Sequence, residues 1–329
     1  MKPDMAKAVF TPHEVGLAGY NSAKAAAENE KFGIDLDIAG TDIKDYFAPL
    51  MPWEIVAVQA QTSNGKSYFF DWWEAQICRQ LARDGRKEII LHVSFEETIE
   101  AMAFYQYSKI LDIPTSDLAR GKVDLSKLEW GMSVIDSIPV YRLGDSAQTA
   151  DDAPELYLSN VYRSIKELID GGVTGEPVKP AVIFLDYLQA FPIDPEVKGA
   201  VQDQQRRLQV RNDVYRSRKM ATHLHCPVVI GVQAKQRLDG SNPPYQIPGM
   251  YDGEETASIA QRFDRIMSLW MPKTSYTVGD AKDFGTVTEN GIWLKINKQR
   301  GGLPAGKSWE LKWEYAKHDL ISAYGRPQA

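Results

Sequence analysis

Four short runs of apolar, largely β-branched residues constrain this 329-residue chain more than any other feature: residues 55–58 (IVAV), 89–93 (IILHV), 181–185 (AVIFL) and 228–232 (VVIGV). A strand with one wet face alternates apolar and polar residues, whereas a continuous apolar run requires burial on both faces. The spacers between the runs are long enough to hold helices, so the runs must be joined by crossovers and lie mostly parallel. Residues 68–82 and 97–111 contain no Pro or Gly, residues 154–169 open on a proline suited to a first helical turn, and residues 201–224 carry the stripe Val210, Val214, Ala221, Leu224. Near the C-terminus the period falls to two, in residues 291–297 (GIWLKIN) and 308–314 (SWELKWE), joined through the Gly-rich 301–306. That is hairpin grammar. The expected fold class is α/β, a mostly parallel twisted sheet flanked by helices, with antiparallel strands at its C-terminal end.

The first run leads straight into Ala60-Gln61-Thr62-Ser63-Asn64-Gly65-Lys66-Ser67 and then a helical segment. This matches the phosphate-loop pattern G-x-x-x-x-G-K-[ST] except at Ala60. Backbone N–H groups of such a loop surround phosphates, Gly65 permits close approach, Lys66 reaches the β and γ phosphates, and Ser67 offers a hydroxyl to Mg²⁺. A bare GKS tripeptide can be a chance turn; here strand, loop and helix follow in the required order. The expected ligand is a nucleoside triphosphate.

The other runs also end on chemistry. Asp186 closes AVIFL, as a metal-holding carboxylate or as a helix cap. IILHV runs into Ser94-Phe95-Glu96-Glu97, and ligands bind at this edge of open α/β sheets. Glu96 is favoured as the water-activating base, with Glu97 alternatively supplying negative charge to the next helix. Gln233 follows VVIGV and either contacts the γ-phosphate or simply ends the strand. Lys298 and Arg300 follow GIWLKIN two residues apart, so they share a face, as an arginine-finger pair or as a solvated basic turn.

Composition narrows the classes. Apolar residues are 43% and charged residues 25%, which excludes wholesale disorder. The net charge of −6 argues against diffuse nucleic-acid binding, though a cleft can still be locally basic. Cys78 and Cys226 have no CxxC partner, which excludes a disulfide framework or zinc ribbon and suits a reducing, cytoplasmic setting. No run approaches the ~20 apolar residues of a membrane span. Residues 1–45 read as an arm with few large apolar residues, expected to be disordered or to dock in cis or on a neighbouring subunit, and residues 46–329 as one domain.

Six segments, VQAQTSNGKS (58–67), SFEE (94–97), IFLDYLQ (183–189), PVVIGVQ (227–233), SIAQRFDRI (258–266) and KQRGGLPAG (298–306), together resemble the RecA-type ATPase domain of the DnaB family of replicative helicases. DYLQ and KQR are the most specific, and alanine at the position of Ala60 is usual in that family. The resemblance implies a RecA-like core assembling into a homo-oligomeric ring, usually a hexamer, with ATP and Mg²⁺ between subunits. It assigns phosphate and Mg²⁺ to Lys66 and Ser67, water activation to Glu96, the metal to Asp186, γ-phosphate sensing to Gln233, and action on the neighbour's ATP to Lys298 and Arg300. Single-stranded DNA is the implied partner, with Arg206, Arg207, Arg211, Lys235 and Arg237 as candidate grips through salt-sensitive phosphate contacts.

Two departures stand out. Family helicases carry a separate N-terminal domain that meets primase, whereas only a short arm precedes the core here, which argues against primase as a partner. Where the family places an Arg-Glu-Ser-Gly segment on the DNA backbone, this chain reads Glu254-Glu255-Thr256-Ala257, and an acid there repels phosphate. The alternative function is a non-unwinding ATPase switch or assembly platform of a mobile element, phage or defence system.

Overall fold

The computed structural model describes residues 10–28, 33–146, 155–192, 202–235, 247–253, 260–301 and 304–324. In chain order the elements are α1 (Pro12–Glu28), α2 (Ile43–Tyr46), β1 (Ile55–Ala60), α3 (Lys66–Asp84), β2 (Ile89–Ser94), α4 (Ile99–Leu111), α5 (Thr115–Ala119), α6 (Leu125–Asp136), β3 (Val140–Leu143), α7 (Leu158–Ile169), β4 (Pro180–Asp186), α8 (Gln202–Leu224), β5 (Val228–Gln233), β6 (Arg265–Trp270), β7 (Ala281–Lys282), β8 (Gly285–Thr286), β9 (Gly291–Lys298), β10 (Ser308–Glu314) and β11 (Asp319–Ser322).

The four apolar runs are β1, β2, β4 and β5, and they lie together at the centre of one sheet ordered β11-β10-β9-β6-β1-β5-β4-β2-β3. From β6 to β3 every pairing is parallel, and β9, β10 and β11 continue antiparallel. Burial on both faces follows from two cores. Val56 and Val58 of β1 face a core that includes α3, while Ile55 and Ala57 face one built with α7 and α8. The stripe on α8 works as its spacing requires, with Val210, Val214 and Ala221 buried.

Three strands of the large sheet were not signalled by apolar runs. β6 opens on Arg265 and β3 contains Arg142, so neither reads as a run; β11 is only four residues long. Arg265 is nonetheless 3% exposed, because its Nη2 pairs with Glu54 at 2.7 Å and its guanidinium stacks on Phe47. α7 begins at Leu158, and Pro154 lies outside the described residues.

The boundary drawn at residue 45 needs correction. Ile34, Leu36, Ile38, Ile43, Phe47 and Leu50 belong to the α3-side core of the same chain. Trp73 Nε1 donates to the Asp35 carbonyl at 2.9 Å, and Ser322 N donates to the Ala39 carbonyl at 2.9 Å. The residues are few, as the sequence indicated, but they alternate with acids in Ile34-Asp35-Leu36-Asp37-Ile38, so every apolar one turns inward. By contrast, Phe10, Val15, Leu17 and Tyr20, in and just before α1, are exposed. Among the described residues no helix is long and apolar enough to cross a membrane.

Candidate nucleotide site

Parallel register gathers the strand ends. Ser94 lies opposite Asp186 and Ala60 opposite Gln233, so β2, β4, β5 and β1 finish level and deliver their following residues to one edge. There they line a cavity of about 850 Å³ that includes Ala60, Lys66, Ser67, Glu96, Asp186 and Gln233.

The loop between β1 and α3 turns through left-handed backbone at Ser63 and at Gly65, where φ is +80°. A Cβ on Gly65 would be strained in that conformation and would sit 3.1 Å from Met271 Sδ. Gly65 caps α3, its carbonyl accepting from Phe69 N at 2.9 Å, which leaves the first N–H groups of a 19-residue helix facing the cavity edge. Gln61, Thr62, Ser63 and Gly65 all line the cavity.

Asn64 does not line the cavity with the others, and its side chain is engaged elsewhere. It is 2% exposed, its Oδ1 accepts from Met271 N at 2.8 Å, and its Nδ2 donates to the Thr62 carbonyl at 3.1 Å. A buried amide satisfied in this way ties the loop to the end of β6 and is not free for phosphate.

Lys66 Nζ lies 2.8 Å from Asp186 Oδ1 and 3.8 Å from the Tyr187 ring centroid, and Ser67 Oγ donates to Asp186 Oδ2 at 3.1 Å. The Asp186–Tyr187 peptide is cis. Gly231 of β5 makes this convergence possible, since a Cβ there would stand 2.8 Å from Asp186 Oδ1 and 3.1 Å from Lys66 Cδ.

Ser94 Oγ accepts from the Glu97 N–H at 2.9 Å, holding the turn that carries both acids. Glu96 is exposed. Glu97 is half-buried, and burial, reinforced by the charges of Asp186, Asp71 and Glu96, pushes its carboxyl up. Gln233 Nε2 donates to Thr62 Oγ1 at 2.9 Å, while Gln189 grips the Gln233 backbone from both sides, at 2.9 and 3.3 Å.

Several residues in or behind the cavity wall carry no local sequence signal. Beneath the acids, Glu74 of α3 accepts from His92 of β2 and from Arg142 of β3, the latter at 3.0 Å. Burial pushes the Glu74 carboxyl up, but the charges of His92 and Arg142 outweigh it and hold the group well below its ordinary range. On the other side, Tyr68 and Tyr315 approach edge to face at 6.1 Å beside the Lys273–Glu289 pair, 2.6 Å apart. All four line the cavity, so Tyr68, unlike the buried aromatics Phe69, Phe70, Trp72 and Trp73 around it, stands 50% exposed as a wall. Aromatic faces and a polar pair lining the same cavity as the loop suit a nucleobase.

The donor set fits a nucleotide and a hard cation. Ser67 and Asp186 offer oxygens of the kind Mg²⁺ takes, the loop offers N–H groups and Lys66 for phosphate, and Gly65 and Gly231 keep side-chain bulk away.

The family model of the DnaB-like helicase C terminal domain matches residues 37–319. The chain belongs to this family. Its fold matches the ATPase domain of G40P at TM-score 0.69 and 15% identity, covering 95% of this chain and 99% of that one. It also matches a DnaB-like replicative helicase whose structure was described with its interactions with primase, at TM-score 0.68 and 15% identity, covering 95% and 67%. No curated protein matches the chain. The sheet is thus a RecA-like one, parallel through its centre and antiparallel at its C-terminal strands.

In this DnaB-like domain the remaining candidates do not join the nucleotide cavity. Lys298 pairs with Ile266 at the start of β6, and Asp264 N bonds Ile55 O at the start of β1, so Lys298 and Arg300 occupy the sheet edge away from the phosphate loop. Lys298 Nζ donates to the carbonyls of Ala260 and Gln261, each at 2.9 Å, and Arg300 Nη1 lies 3.1 Å from Asp264. Arg206 is corrected as a DNA grip, because its guanidinium turns inward to the carbonyls of Phe191, at 2.9 Å, and Gln189. Arg211 is exposed beside Arg300, and Lys235 is exposed beside the loop, its carbonyl accepting from Gln61 Nε2 at 2.9 Å. The Arg207 side chain, Arg237 and the segment 254–257 lie outside the described residues.

Proposed function

We propose that this DnaB-like domain is an ATP-hydrolysing ring motor on single-stranded DNA, with its catalytic sites shared between copies. The observation that carries the reading is the placement of two complementary half-sites at opposite edges of one sheet. Lys66, Ser67, Asp186 and Glu96 lie at the C-terminal edge, and Lys298 and Arg300 at the other. β1 alone is six residues, ~20 Å at strand rise, so a finger cannot reach the phosphate loop of its own chain. A ring of copies, six as in the family, brings the halves together, with the exposed α1 helix docking on a neighbour.

Within the site, loop N–H groups and Lys66 bind the phosphates, and Ser67 and Asp186 hold the cation. A Mg²⁺ ion held there would supply charge neutralisation for the phosphates. Glu96, exposed to the cavity, takes the proton of the attacking water; Glu97, raised by burial, is the neighbouring acid. Gln233 lines the cavity and donates to Thr62 of the loop, so gain or loss of the γ-phosphate would alter its contacts and be felt through Gln189, just beyond β4.

A second reading, a non-unwinding ATPase switch, is favoured by the inward turn of Arg206 and by Glu254 and Glu255 in the sequence. ATPase rates with and without single-stranded DNA, and strand displacement on a forked duplex, separate the two. Stimulation with unwinding supports the motor; ATP-dependent assembly without either supports the switch.

A further inference from the structure

At the edge away from the phosphate loop, a second cavity of about 570 Å³ opens between α8 and the turn into β6. Four arginines line it, Arg211, Arg218, Arg262 and Arg300, beside Gln261, and among the described residues no carboxylate does. The nearest acid, Asp264, is 5% exposed and already used: Oδ1 takes Arg218 at 2.7 Å and Arg300 at 3.1 Å, and Oδ2 takes the backbone N–H of Ile55 at 3.0 Å. Lys298 adds a fifth cation, its ammonium pushed down by burial and by Arg300 and Arg218. Among the described residues, five cations around one saturated carboxylate leave uncompensated positive charge facing an open volume. Guanidinium groups match phosphate oxygens two bonds at a time, and an anion between them removes their mutual repulsion.

We infer that this cavity binds an oligophosphate chain, with Arg211, Arg218 and Arg262 as phosphate-binding residues beside the Lys298–Arg300 pair. This rests on the reading above for one of two sources, the triphosphate of a nucleotide seated in a second copy's phosphate loop; the other source is a free oligophosphate. Arg211 and Arg262 are the decisive pair because, among the described residues, neither has a carboxylate partner, so replacing them leaves no buried acid unpaired.

The test uses the full chain carrying Lys66→Ala, which silences its own phosphate loop, titrated calorimetrically with inorganic triphosphate. Binding is expected, weakened at least tenfold by adding Arg211→Gln and Arg262→Gln and weakened further by salt, with melting curves showing that the fold is kept. In the native-loop background the same two substitutions lower kcat at least tenfold, with ATP binding retained, when the source is a second copy; mixing with Lys66→Ala protein then restores turnover. Native turnover with triphosphate binding lost points to the free anion. Triphosphate binding that ignores both substitutions, or its absence together with native turnover, overturns the proposal. Failure of the ATPase reading is separately visible as loss of ATP binding by the native chain, which leaves the triphosphate titration unaffected.

Discussion

Lys66 Nζ lies 2.8 Å from Asp186 Oδ1, so the cation meant for phosphate is held by a carboxylate of its own chain. An incoming nucleotide has to take Lys66 from Asp186, and the carboxylate then needs another positive partner. Asp186→Asn is therefore expected to bind ATP several-fold more tightly than the native chain when Mg²⁺ is chelated, yet to hydrolyse it at least ~100-fold more slowly with Mg²⁺ present. Titration of a fluorescent ATP analogue with and without Mg²⁺, alongside phosphate release, reads both. Weaker binding without Mg²⁺ would show that the pair does not compete with phosphate.

The separation of Lys66 from Arg300 predicts complementation. Lys66→Ala and Arg300→Ala are each expected to be inactive alone, and an equal mixture should recover a measurable part of native turnover at interfaces that combine an intact loop with an intact finger. Two variants that co-assemble on gel filtration and remain dead would remove the shared-site reading.

Gln233 bonds Thr62 through its side chain and Gln189 through its backbone, and only the first contact is lost in Gln233→Ala. Turnover should fall ~10²-fold while the melting temperature moves by no more than a few degrees. A large loss of stability with native turnover per folded molecule would make Gln233 a structural residue.

The Glu74–His92–Arg142 cluster makes stability depend on pH. Burial lowers the affinity of His92 for a proton, but the Glu74 charge and hydrogen bond outweigh it and raise the ring above its ordinary 6.5. A raised folded-state value means the contribution is complete below 6.5 and fades as pH climbs through that raised value. Glu74 is shifted down from 4.5, so its contribution is complete above 4.5 and fades as pH falls through the lowered value. The cluster thus stabilises most between about pH 4.5 and 6.5. Removing one partner, as in Arg142→Met, should cost about 3–5 kcal/mol in urea unfolding. The triple change Glu74→Leu, His92→Phe, Arg142→Met should flatten the decline in melting temperature above pH 6.5; an unchanged slope would place its origin elsewhere.

What could be read from the residues alone follows from how local each signal is. The central strands and the acids at their ends were legible because burial on both faces leaves a continuous apolar run, and parallel register aligns the run ends. Side-chain direction was not readable: the motif counts Asn64 as a loop residue whether it faces phosphate or Met271, and the Arg206 row looks solvated until the carbonyls of Gln189 and Phe191 are brought beside it. The Tyr68–Tyr315 wall joins residues 247 apart, and no spacing rule spans that distance. β6 was hidden by Arg265, whose charge is cancelled by Glu54 from another part of the chain.

The contact of Ala39 with Ser322 lays the segment before β1 against β11, the last strand of the sheet. β11 is thereby flanked on both sides, by β10 and by the Ala39 segment, so this margin of the sheet is not left open to pair with another chain. The same neighbourhood has a mechanical meaning: force applied at residue 324 loads the β10–β11 pairing and the Ala39 bridge before it reaches the nucleotide edge.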